Sequence, residues 1–82
     1  IQVKLWPNPA TSMLKFKLTP TTQSLVTSEK IQLDIYGFDG RIIYREEVAS
    51  EGEINTHGWS SGVYCAQFSL KETQVKRKIL IQ

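Results

Sequence analysis

The chain has 82 residues, ten of them Lys or Arg and eight Asp or Glu, so its formal charge is +2 at pH 7. A chain of this size is expected to form one domain over residues 1–82 with a thin core, because small domains bury only about 60% of their unfolded surface. The weak charge lacks the clustered basic face of a nucleic-acid binder, no apolar run approaches the roughly 20 residues of a membrane-spanning helix, and the single cysteine, Cys65, excludes an internal disulfide.

The chain opens at Ile1 rather than Met, as expected of a piece cut from a longer protein, and carries no secretory-leader pattern at its start. A first strand is expected near residues 2–6. Next comes Trp6-Pro7-Asn8-Pro9-Ala10. Each proline fixes its own φ, lacks an N–H and turns the preceding residue away from the α region, so the segment reads as a stiff, extended entrance to a β-domain. Leu14, Phe16 and Leu18 then alternate with Lys15 and Lys17 in a second strand. Thr19-Pro20-Thr21-Thr22-Gln23-Ser24 reads as a solvated loop, and residues 24–29 as a short turn at most. Ile31, Leu33 and Ile35 alternate with Lys30, Gln32 and Asp34, which places Asp34 on the solvent side. In Gly37-Phe38-Asp39-Gly40 the Asp-Gly pair predicts a hairpin, since both residues tolerate positive φ. A strand over residues 41–48, a turn at Ala49-Ser50-Glu51-Gly52, a short strand Glu53-Ile54-Asn55-Thr56 and a break at residues 57–62 follow. Tyr64, Ala66, Phe68 and Leu70 form the inward phase of a long strand, and Lys71-Glu72-Thr73 connects it to a last one. There Val75, Arg77, Ile79 and Ile81 share a phase, with Arg77 expected near a strand end where its head reaches water.

The period is two almost throughout, as in half-buried antiparallel strands. About seven short strands with turns roughly every 8–12 residues predict an all-β, Ig-like antiparallel β-sandwich, with an open barrel as the other solution.

No constellation for catalysis emerges. His57 is the only histidine and stands beside Gly58 in a turn, so a Cys65/His57 nucleophile pair has no orienting third group. Zinc needs three or four Cys/His-type ligands and the chain has two. Glu46 and Glu47 are adjacent on a strand and point to opposite faces. No phosphate-binding glycine loop is present. No catalytic residue, metal site or cofactor is therefore expected. Lys76 and Lys78 share the outer phase of the last strand, where lysine discourages edge-to-edge pairing.

Three stretches in order carry a resemblance: Pro7-Asn8-Pro9 before a strand; Leu33-Asp34-Ile35-Tyr36-Gly37-Phe38-Asp39-Gly40-Arg41-Ile42-Ile43; then Gly62-Val63-Tyr64 and Lys78-Ile79-Leu80-Ile81. Together they resemble the C-terminal sorting domain of the type IX (Por) secretion system of Bacteroidetes, type A. That family reads roughly as a Pro-Asn-Pro start, an Ile-Tyr-Asp-x-x-Gly-Arg centre, a Gly-x-Tyr strand and a Lys-rich final strand. Here Gly37 replaces the usual Asp or Asn, Trp59 stands where Leu is usual, and the loop before Lys30 is long. The resemblance implies a non-enzymatic secretion signal at the C-terminus of a cargo protein. Its partners would be the upstream cargo domain, the outer-membrane translocon and a sortase-like peptidase that cuts upstream, with no nucleic acid and no membrane insertion. The cargo would pass through the periplasm and end at the cell surface or outside. Candidate recognition residues are Pro7, Asn8, Pro9, Asp39, Gly40, Arg41, Gly62, Tyr64, Lys76 and Lys78. An open edge strand would also allow weak homodimerisation. Two other readings stay open: an accessory module binding carbohydrate through Trp6, Tyr44 and Trp59, and an adhesion module that adds a strand to a partner.

Overall fold

The computed structural model describes residues 2–19, 30–70 and 73–82. The expected loop at residues 20–24, the turn at 24–29 and residues 71 and 72 of the last connection lie outside this range. Seven strands follow in chain order: β1 (Gln2–Trp6), β2 (Met13–Thr19), β3 (Ile31–Tyr36), β4 (Ile42–Val48), β5 (Glu51–Asn55), β6 (Gly62–Leu70) and β7 (Thr73–Ile81). Among the described residues there is no helix. β1-β2-β5 form one antiparallel sheet and β4-β3-β6-β7 the other. The expected sandwich is present. It is a variant of the Ig arrangement in which the fourth strand pairs with the third instead of joining the smaller sheet.

Alternation dictates the core. Leu14, Phe16 and Leu18 from β2 and Ile54 from β5 face Leu33 and Ile35 from β3, Tyr64, Ala66, Phe68 and Leu70 from β6, and Ile79 and Ile81 from β7; all are buried. Phe16 and Phe68 meet at the centre, one from each sheet, with ring centroids 5.6 Å apart. Burying each such ring contributes about 1.5–3 kcal/mol. Gly52 lies directly beneath Phe16: a Cβ there would sit 3.1 Å from the ring edge, so a larger residue would require the ring to shift by a few tenths of an ångström.

Two residues keep the phase that alternation gives them but differ from expectation in their surroundings. Asp34 does point to the outer face, yet it is only 6% exposed. Arg45, directly opposite on β4, covers it with an Nε–Oδ1 contact of 2.9 Å, and Gln32 donates a hydrogen bond to the same oxygen. That guanidinium holds the Asp34 carboxyl below the usual carboxylate range, against a smaller opposing effect of burial. Arg77 lies within β7 rather than near its end, and still reaches water because β7 is the edge strand of the wider sheet. Its Nη1 donates to the Lys76 carbonyl.

The proline segment departs most from expectation. It does not run extended: Pro7, Asn8 and Pro9 form bends, and the Trp6–Pro7 and Asn8–Pro9 peptide bonds are both cis. The segment turns the chain from β1 back into β2, whose pairing starts at Trp6 opposite Lys15.

Candidate recognition site

The register brings three connections and a chain end to one end of the sandwich. β6 starts where β7 finishes, with Gly62 opposite Ile81, and β3 finishes beside the start of β6, with Tyr36 opposite Cys65. β2 starts opposite the end of β5, with Met13 against Asn55. The loops at residues 7–12, 37–41 and 56–61 and the terminus at residues 80–82 are therefore neighbours.

The proline segment ties the two sheets together there. Ala10, fully buried, forms a parallel bridge with Ile81: its N–H donates to the Leu80 carbonyl at 2.8 Å and its carbonyl accepts from the Gln82 N–H at 2.9 Å. Prolines cannot donate from the backbone. The next contact along this edge is instead made by the Asn8 side chain, whose Oδ1 accepts from the Leu80 N–H at 3.0 Å. Buried Thr56 extends the β2–β5 ladder by one more bond, its N–H donating to the Ser12 carbonyl at 3.0 Å.

The β3–β4 turn is a three-residue loop rather than a two-residue Asp-Gly turn. The Gly40 N–H donates to the Gly37 carbonyl at 3.0 Å and the Gly37 N–H to the Arg41 carbonyl at 2.8 Å. Gly40 carries the positive φ of 85° that such loops require at their last position. Phe38 and Asp39 are left as the corners. Asp39 accepts from the Arg41 N–H and faces its guanidinium at 3.9 Å, an exposed pair that contributes little to stability.

Aromatic packing closes the end. Trp59 stacks obliquely on Tyr64 at 5.4 Å and Tyr44 at 6.2 Å between centroids, and the Tyr64 hydroxyl donates to the Ser60 carbonyl at 2.7 Å. Burial, and a hydrogen bond to the Glu46 carboxylate, push the Tyr44 hydroxyl up to about 12. Trp6 lies elsewhere, on the outer face of the β1-β2-β5 sheet, with the Lys4 ammonium 5.4 Å from its ring. The three aromatics weighed for carbohydrate thus share no common surface. His57 is exposed in its turn, its N–H bonded to Asn55 Oδ1, while Cys65 is half-buried on the outer face of β6. Among the described residues, no three His, Cys, Asp or Glu side chains cluster as a metal site would require.

Of the ten candidate residues, Pro7, Asn8, Pro9, Asp39, Gly40, Arg41, Gly62 and Tyr64 lie at this end. Lys78 and then Lys76 follow along β7, opposite Cys65 and Gln67. Sequence reasoning missed Phe38, Ile43, Val63 and Leu80, all of them exposed. The signals were an aromatic at a turn corner, where polar residues are usual, and apolar residues on the polar phase of three strands.

The chain is thus a small all-β sandwich with three loops and a chain end gathered together. Residues 4–82 match the family described as the secretion system C-terminal sorting domain, and the chain belongs to that family. It is a C-terminal sorting signal for type IX secretion, which directs a cargo protein to the cell surface or the exterior. No curated protein matches the chain.

Proposed function

We propose that the folded domain docks on the outer-membrane translocon of the type IX system through its loop-rich end. The cargo reaches the periplasm by its own N-terminal signal. A sortase-like peptidase then cuts upstream of the domain, and the cargo is released or attached to anionic lipopolysaccharide. The peptidase performs the chemistry; this chain is what it and the translocon recognise. One observation supports this reading above the others: family-pattern residues far apart in sequence, from Pro7 to Tyr64, share one end of the fold.

The test is a fusion of residues 1–82 to the C-terminus of an inert periplasmic reporter in a type IX-competent host. The reporter is expected outside the cell or on its surface, shortened by the mass of the domain. Retention of the intact fusion in the periplasm contradicts the proposal. Deleting residues 76–82 removes Ile79 and Ile81 from the core as well as the clasped edge, and is expected to abolish export together with protease resistance.

A further inference from the structure

Phe38 is 92% exposed, at a corner of a turn whose backbone is fixed by two hydrogen bonds. Leaving such a ring in water forgoes about 1.5–3 kcal/mol of burial, and nothing in the turn requires an aromatic there. Three open hollows meet around it. One is floored by Val63, Cys65 and Lys78, one by Ile43 and Gly62, and one by Tyr36, Gln67 and Lys76. Val63 stands opposite Leu80, and both are exposed. The outer face of the β4-β3-β6-β7 sheet thus carries an apolar patch at its loop-rich end, with Lys76 and Lys78 along one side.

The charge of this face is unbalanced. Asp34 is already engaged by Arg45 and Asp39 faces Arg41, and none of the ion pairs among the described residues uses Lys76 or Lys78. On the opposite outer face Lys15 stands opposite Glu53 and Lys17 opposite Glu51, with Lys4 across from Lys17 on its other side. An apolar anchor beside unpaired cations is the complement of an apolar pocket flanked by carboxylates, the anatomy of a protein interface with a buried centre and a charged rim.

We propose that Phe38 is the anchor of the docking surface, inserting into an apolar pocket of a folded partner protein whose rim presents Asp and Glu to Lys76 and Lys78. This rests on the sorting function proposed above and names the face that performs it.

The reporter fusion tests it with three variants: Phe38→Ser, the pair Lys76→Glu with Lys78→Glu, and the pair Lys76→Arg with Lys78→Arg. Phe38→Ser is expected to lower export by about tenfold or more, the loss typical of an interface anchor, while the purified domain keeps its thermal midpoint. Charge reversal is expected to lower export, and the arginine pair to preserve it. Normal export of Phe38→Ser overturns the inference and leaves the sorting function standing; retention of the unsubstituted fusion overturns both. Loss on charge reversal with none in Phe38→Ser overturns the protein pocket in favour of attraction to an anionic lipid surface, which binding of the purified domain to vesicles containing anionic lipid would then show.

Discussion

The two outer faces of the sandwich are built on the same alternation and differ in how their charged and apolar residues are arranged. On the β1-β2-β5 sheet the outward positions include Lys4, Lys15, Lys17, Glu51 and Glu53, and the lysines of β2 stand across from the glutamates of β5. Cross-strand pairs of this kind stabilise a sheet by fractions of a kcal/mol and leave little for a partner to gain. On the β4-β3-β6-β7 sheet the outward positions include a covered ion pair, Asp34–Arg45, and then an exposed apolar end with uncompensated lysines. The first face intersperses its charges between strands, and the second gathers exposed Val63 and Leu80 at one end.

The contrast can be broken or sharpened by substitution. The largest effect is expected from Phe68→Ala, which empties the layer between both faces. Removing a fully buried Phe costs about 3–5 kcal/mol, a large share of the stability of a domain this small, and urea unfolding should register it. Asn8→Ala comes next. It leaves the Leu80 N–H without its acceptor and should cost about 1 kcal/mol; Asn8→Asp, which keeps an acceptor, should recover most of it in the same assay.

Asp34→Asn tests the covered pair through pH. The folded carboxyl has a lowered pKa relative to its ordinary value of 3.8, so its contribution is present above the ordinary value and is lost as pH falls through the folded one. The unsubstituted domain should be more stable than Asp34→Asn at pH 7, and the gap in thermal midpoint should close below about pH 4. No gap at pH 7 would mean that Arg45 covers Asp34 without stabilising its charge. The smallest effect is expected from Lys15→Ala on the outer face of the β1-β2-β5 sheet: a change within about 0.5 kcal/mol, as for ordinary surface positions, and unaltered export.

Much of the fold was legible because its main driving force is periodic. Leu14/Phe16/Leu18, Ile31/Leu33/Ile35 and Tyr64/Ala66/Phe68/Leu70 mark the buried faces directly, and Gly40 marks a turn through its φ. The outward phase of Asp34 was legible, and its burial was not, because alternation reports which side a residue faces and says nothing of a long arginine folded over it from the next strand. The proline segment was misjudged for a related reason. Its local rules are those of a chain that avoids helix, but its role comes from Leu80 and Ile81, which the fold brings alongside from the far end of the sequence. Phe38 was legible in principle, as an aromatic inside Gly37-Phe38-Asp39-Gly40. Its exposure follows from the three-residue geometry of the loop, which an Asp-Gly pair alone does not specify.

The central claim is that recognition belongs to the assembled end of the sandwich and not to its motifs as linear peptides. Phe68→Ala separates the two, because it leaves every candidate recognition residue in place while loosening the core beneath them. The measurement is export of the Phe68→Ala reporter fusion alongside its protease resistance at growth temperature. The account predicts a protease-sensitive domain and a reporter held in the periplasm. Normal export of a protease-sensitive domain would contradict it.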